Sequence, residues 1–283
     1  MTVSSDTISP NEYFAIDAVN QTLIKQVLRS PAHAKAYLAG DKPPTPAMQF
    51  GTAVHASILN SDNFSNEVAV KPDINRRTAA GKVQHEKFLN TSKGLAVITS
   101  QQAADCIKIA MSIRNSETAS RLLNSSHKEQ SYLWEDPLTR LVCKARVDVC
   151  HPASKQVVDL KTTTDASEQG FARTIAKFGY HIQAAFYLRA ASGFDTAIEA
   201  YNDGWRFYIV AVETASPFSV ASYKLDQCAI IEGDKMVYKG LVAWAESQLL
   251  DTFPGYDDRI ISISLPRWAL TEPEDTGLLG NNG

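Results

Sequence analysis

Lys144-Ala-Arg-Val-Asp-Val-Cys-His-Pro-Ala-Ser-Lys-Gln-Val-Val-Asp-Leu-Lys161 is the stretch on which the fold turns. Leu141 to Val149 alternates apolar and polar positions over most of its length, and Gln156 to Leu160 is rich in β-branched residues. His151-Pro-Ala-Ser154 between them carries turn chemistry, so the stretch predicts a β-hairpin. Side chains on a strand alternate faces, which puts Lys144, Arg146 and Asp148 on one face and Asp159 and Lys161 on one face of the partner. With His151 to Ser154 as the loop, Cys150 opposes Lys155 and Asp148 opposes Val157. Asp159 is then the diagonal neighbour of Asp148 on the same side. An odd loop length would separate the two carboxylates.

Three cations and two carboxylates on one face need an explanation, because like charges held close raise each other's pKa and cost stability. A divalent metal supplies one. Hard carboxylate oxygens suit Mg²⁺ or Mn²⁺, and a lysine two residues past a ligand can orient or deprotonate a bound water. A solvated edge hairpin with exchangeable ion pairs accounts for the same residues. The rest of the chain decides between the two.

The 283 residues suit one α/β domain with an appended helical part, long enough for a substantial core. Hydrophobic residues make up 44% and charged residues 21%, the proportions of an ordinary globular protein rather than a disordered or membrane one. No stretch reaches transmembrane length, and Met1-Thr-Val-Ser-Ser-Asp6 lacks the basic and apolar regions of a secretory signal. The expected location is the cytoplasm. Cys106, Cys143, Cys150 and Cys228 lack the spacing of a zinc or compact iron–sulfur site and read as buried thiols. A net charge of −3 argues against a broadly basic surface but leaves room for a local basic channel.

Residues 1–12 read as a flexible arm, 13–125 as a helical part, 126–250 as a core and 251–283 as a loose Pro-rich, then Gly/Asn-rich tail. Asn20 caps a helix whose stripe is Leu23, Ile24, Val27 and Leu28, ending before Ser30-Pro31, and a short helix follows to Leu38. From Met48 to Asn60 the spacing predicts another helix, on which Gly51 and His55 share a face. That histidine is either satisfied by a backbone carbonyl or, in company with the hairpin, a metal ligand. The loop Arg76-Arg-Thr-Ala-Ala-Gly-Lys82 offers Arg76, Arg77 and Lys82 either to phosphates or simply to solvent. A helix capped at Ser100 runs to Asn115, and Glu129 to Glu135 is a strand. Glu129 is either a further acid of the site or a surface residue. Helices follow at 166–177 and 180–191, the second presenting Gln183 and Tyr187 one turn apart. Strands at 206–213 and 218–223 and a helix from Asp226 to Leu250 complete the pattern.

The ordered set Gly51…His55, Glu129, Asp148, Asp159-Leu160-Lys161, Gln183…Tyr187 resembles the PD-(D/E)XK nuclease superfamily, in the branch with an upstream histidine ligand and a downstream Gln-x-x-x-Tyr helix. Cys143 to Asp148, Val158 to Thr163, Gly179 to Tyr187 and Phe207 to Glu213 look like the nuclease domain of the RecE family, or exonuclease VIII. The likeness extends over roughly Tyr13 to Leu250. Asp159 stands where other members carry Glu, as in that family, and Asp148 follows Val147 rather than a proline.

The resemblance implies a PD-(D/E)XK core, a central mixed β-sheet flanked by helices. It also implies an Mg²⁺-dependent exodeoxyribonuclease that digests linear duplex DNA from its 5′ end. The 3′ single strand left behind would pass to a RecT-like annealing partner, and family members close into ring-shaped tetramers. On this view His55, Asp148, Asp159 and the Leu160 carbonyl hold one or two Mg²⁺ or Mn²⁺ ions and Lys161 positions the attacking water. Gln183 and Tyr187 brace the ligands or the DNA backbone, and Arg146 contacts phosphate. Another nuclease on the same fold is the nearest competitor. A silent DNA-end binding subunit should have lost a ligand or the lysine, and a glycosidase gives Lys161 no role.

Overall fold

The computed structural model describes residues 3–5, 8, 10–40 and 43–266. Strands are β1 (Val3–Ser5), β2 (Val68–Val70), β3 (Ala96–Ile98), β4 (His127–Glu135), β5 (Val142–His151), β6 (Gln156–Thr163), β7 (Arg206–Glu213) and β8 (Val220–Lys224). Helices are α1 (Pro10–Ala15), α2 (Gln21–Arg29), α3 (Pro31–Ala39), α4 (Pro46–Leu59), α5 (Phe64–Glu67), α6 (Ala79–Thr91), α7 (Ser100–Asn115) and α8 (Glu117–Leu123). After the hairpin come α9 (Glu168–Phe178), α10 (Tyr180–Ser192), α11 (Ala197–Asn202) and α12 (Gln227–Leu249).

The helix ends follow local chemistry. Asn20 accepts from the Leu23 N–H to start α2, and Ser30 caps α3, with Pro31 in the first turn where no N–H is needed. Thr45 with Pro46 repeats the device for α4. The cap of α7 is Thr99, in a reciprocal box with Gln102, one residue before the expected Ser100. Gly179, at φ 62°, ends α9 and lets the chain turn into α10, a conformation that side-chain-bearing residues avoid.

β1-β4-β5-β6-β7-β8 form a mixed sheet in which only the β6–β7 pair is parallel, and β2–β3 form a small parallel sheet. The mixed sheet flanked by helices matches the expected PD-(D/E)XK architecture. One face packs on α2, α10 and α12 through Ile24, Phe186, Phe207 and Trp244. The other packs on α4, α7 and α8 through Phe50, Val54, Ile109, Leu122 and Leu160. At about 25 cal/mol per Å² of apolar surface, these two layers are the main stabilising term.

The central hairpin departs from the expected register. His151 pairs with Gln156 and Cys150 with Val157, so the loop is Pro152 to Lys155, one residue later than read from the sequence. A 3₁₀ turn at Pro152–Ser154 and a left-handed Lys155 (φ 54°) shift it. Extended past Val149↔Val158, this register would set Asp159 opposite Asp148 rather than diagonal to it.

Residues 3–5, expected within a flexible arm, pair with β4 as an edge strand. Part of the expected tail also folds back. Ala32 N–H donates to Pro254 O, Phe253 packs on Trp244, and Lys35 lies over the Phe253 ring. The Gly/Asn-rich end lies outside the described residues.

Candidate metal centre and active site

The site forms where β5 and β6 part. Their ladder runs through Val149↔Val158 and stops, although the same register continued would pair Asp148 with Asp159. Separating strands leave backbone donors free, and a buried donor needs an acceptor. The Leu160 N–H finds the Asp148 side chain, donating to Oδ2 at 2.8 Å, and this bond orients the carboxylate.

Glu129 reaches the same point from β4. Lys128↔Val149 and Gln130↔Val147 flank it, so it lies opposite Asp148, with a backbone φ of 53°. A left-handed glutamate inside a strand costs on the order of 1 kcal/mol or more and persists only when its surroundings hold it. Its Oε2 is 2.7 Å from Arg146 Nε, and Arg146 also reaches Ser131. The third arm is α4. Gly51 brings the helix against Thr162 of β6, and His55, one turn on, points Nδ1 at Asp148 Oδ2 across 3.5 Å.

His55, Glu129 and Asp148 each present a ligand atom, all within 4.8 Å of one another. Burial pushes the Asp148 carboxyl up to about 7, with His55 and Lys161 opposing the shift and Asp159 and Glu129 reinforcing it. An imidazole nitrogen and two carboxylates with one ionisation held back are a donor set that fits a divalent cation, which would restore the lost charge. Of the four ligands expected from sequence, the cluster contains His55 and Asp148. It adds Glu129 and leaves out Asp159.

Asp159 is engaged otherwise. Its Oδ1 accepts from Gln183 Nε2 at 2.7 Å, and its Oδ2 lies 2.5 Å from Lys161 Nζ. Burial works against the charge on Lys161, but Asp159 and then Asp148 outweigh it and hold the ammonium above its ordinary range. Tyr187, one turn after Gln183, is buried behind this pair. Burial first, then Asp159 and Asp148, raise its phenol well above the usual value. The expected Gln183…Tyr187 pair thus faces the site, with Gln183 fixing Asp159. Leu160 is wholly buried in β6 between its neighbours, and its N–H is committed to Asp148.

Lys144 does not join the cations of the site. Its Nζ donates to the carbonyls of Tyr13, Phe14 and Ile16 at 2.9, 3.4 and 2.6 Å, clamping the end of α1 onto β5. Arg76 and Arg77 lie exposed before α6 and Lys82 exposed on it, with Arg76 3.5 Å from His85. A cleft of about 700 Å³, bordered by Tyr13, Asn20, Tyr37, Lys144, Arg146 and Tyr187, opens beside the site.

Two residues with no role in the sequence reading stand here. Lys161 Nζ and Lys25 Nζ lie 5.0 and 5.8 Å from the centre of the Tyr180 ring. Tyr180 begins the helix that carries Gln183, but nothing in the pattern of α2 marks Lys25, whose partners are about 150 residues away in sequence.

A family model described as a PDDEXK-like domain of unknown function (DUF3799) matches residues 21–257. No curated protein matches. Among solved structures, the crystal structure of a protein from Eubacterium rectale, named as a predicted exonuclease, is similar with a TM-score of 0.58 at 12% sequence identity. The match covers 93% of this chain and 97% of that one. At that identity the likeness is one of fold.

Proposed function

The chain belongs to the PDDEXK-like family DUF3799, and from that premise we propose a divalent-metal-dependent exodeoxyribonuclease that degrades linear double-stranded DNA from the 5′ end. The observation that carries the nuclease reading is the gathering of Asp148 and Asp159 where β5 and β6 part, with Lys161 on Asp159 and with His55 and Glu129 beside Asp148.

His55, Glu129 and Asp148 would hold the ion, with the Leu160 carbonyl and Asp159 as the further ligands that the family resemblance adds. Bound there, Mg²⁺ or Mn²⁺ supplies Lewis-acid stabilisation of charge on the phosphate and activation of water. Lys161, kept charged by Asp159, orients the attacking water and neutralises charge gathering on the phosphate oxygens. Preorganised donors of this kind contribute on the order of 3 kcal/mol each. Asp159 aims the lysine, Gln183 fixes Asp159, and Tyr187 closes the floor. Arg146, tied to Glu129 on the cleft side, is a phosphate contact for the entering strand. Arg76, Arg77 and Lys82 stand as more distant ones.

The 5′ polarity, the RecT-like annealing partner and the ring-shaped tetramer are what the RecE-like sequence motifs imply, and a cytoplasmic setting is the expectation from a sequence without a signal or transmembrane stretch. Among the described residues no helix is long and apolar enough to cross a membrane. The test is digestion of duplexes labelled at the 5′ or the 3′ end, beside a closed circle of the same sequence, with Mg²⁺. Early loss of the 5′ label with the circle intact is the expected result. Nicking of the circle would make the chain an endonuclease, and binding without cutting would make it a silent end-binding subunit.

A further inference from the structure

Lys25 projects from α2 onto the start of α10. Its stem lies across Gly179, where an added Cβ would stand 3.2 Å from Lys25 Cε, so packing sets the direction of the side chain. Its ammonium shares the Tyr180 ring with that of Lys161. The two lysines differ in what balances them. Lys161 has Asp159, whereas among the described residues Lys25 has no carboxylate within ion-pair reach and no hydrogen-bond acceptor. Gly179 joins the carbonyl end of α9 to the first turn of α10, so the two helix dipoles oppose each other there and leave the charge on Lys25 unbalanced by either.

A second cation sharing one ring with a first, and without an acid of its own, is costly in a protein that only needs to fold. Burial first, then Lys161, pull the Lys25 ammonium down to about 7, with Asp159 opposing. An anion arriving from outside would relieve all of these costs together. Resting on the nuclease reading above, we propose that Lys25 is a second phosphate-binding residue of the site, which seats a backbone phosphate of the cleaved strand next to the one Lys161 serves. Lys25 is therefore a positioning residue that grips the substrate, while Lys161 acts at the scissile bond. A contact of this kind is insensitive to base sequence and is read in the salt dependence of binding.

The experiment is fluorescence anisotropy of the full chain with a fluorescein-labelled linear duplex in EDTA, over a series of salt concentrations. Lys25→Met and Lys25→Gln are compared with wild type, with Lys25→Arg, and with Lys177→Met, which removes an exposed lysine from neighbouring α9. Loss of one phosphate contact is expected to weaken binding about tenfold and lower the slope of log affinity against log salt by about one. Lys25→Arg should keep most of both, and Lys177→Met should leave the slope unchanged. Wild-type affinity and slope in folded Lys25→Met or Lys25→Gln would overturn the assignment. Because binding is read without metal, that failure is separate from failure of the nuclease reading, which shows as absence of cleavage by wild type with Mg²⁺.

Discussion

The side-chain amide of Gln183 donates to Asp159 Oδ1 at 2.7 Å, from a helix 24 residues further along the chain. This bond leaves Oδ2 to Lys161, so it sets the direction in which the lysine points. Gln183→Ala strips a buried carboxylate oxygen of its donor and should cost about 1–3 kcal/mol of stability. It should also lower kcat with KM little changed, since Asp159 and Lys161 act in the reaction and not in capture. Thermal unfolding and steady-state kinetics check this, and a loss of stability with kcat intact would make Gln183 purely structural.

Asp148 gives the metal-free protein a pH dependence of definite sign. Its folded carboxyl titrates at about 7, above the ordinary value of 3.8, chiefly because of burial. Between those values the folded chain holds a proton that the unfolded chain has released, so stability falls as pH rises through that window and levels off above it. Lys25, pulled down to about 7, adds to stability with rising pH only above that point. In EDTA the melting temperature should drop by several degrees from pH 5 to pH 7, an effect of about 2 kcal/mol. Asp148→Asn should flatten the profile, and Mg²⁺ should restore wild type at pH 7.5 but not the variant.

Glu129 separates metal binding from backbone strain. Glu129→Ala and Glu129→Gly both remove a ligand atom and the partner of Arg146, and each should weaken Mn²⁺ binding, read by calorimetry, by about 10–100-fold. Glycine alone accepts a φ of 53° without penalty, so Glu129→Gly should be about 1 kcal/mol more stable than Glu129→Ala. Equal stabilities would mean that the backbone relaxes once the side chain is gone.

Lys144 should behave as a structural residue despite sharing a strand with Arg146 and Asp148. Lys144→Met leaves three carbonyls without their donor and frees the end of α1. Hydrogen exchange should rise over residues 13–19 while Mn²⁺ affinity stays within about twofold of wild type, as expected for a change confined to α1 and its clamp.

Much of this was legible in the chain because it rests on local chemistry. Arg206 to Glu213 reads as a strand from its β-branched and aromatic run, and Asn20 and Ser30-Pro31 bracket α2 by capping and proline alone. His55, Asp148, Asp159, Lys161, Gln183 and Tyr187 converge as their order along the chain suggested. What escaped depends on backbone states or distant packing. The left-handed Lys155 moved the hairpin loop by one residue, and the left-handed Glu129 turned an ambiguous strand acid toward His55 and Asp148. Val3–Ser5 and Ala96–Ile98 are too short for any periodicity to show. Lys144 and Lys25 are ordinary residues of a strand and a helix until the fold brings α1 to one and Tyr180 to the other.

The most direct measurement is the rate at which the chain hydrolyses a linear duplex with and without Mg²⁺, for wild type, Lys161→Met and Asp159→Asn, with folding and DNA binding measured in parallel. A site working as described predicts metal-dependent cleavage by wild type and a loss of about 100-fold or more in both variants, which still fold and bind DNA. Cleavage by Lys161→Met and Asp159→Asn at the wild-type rate would contradict it and place the chemistry elsewhere in the chain.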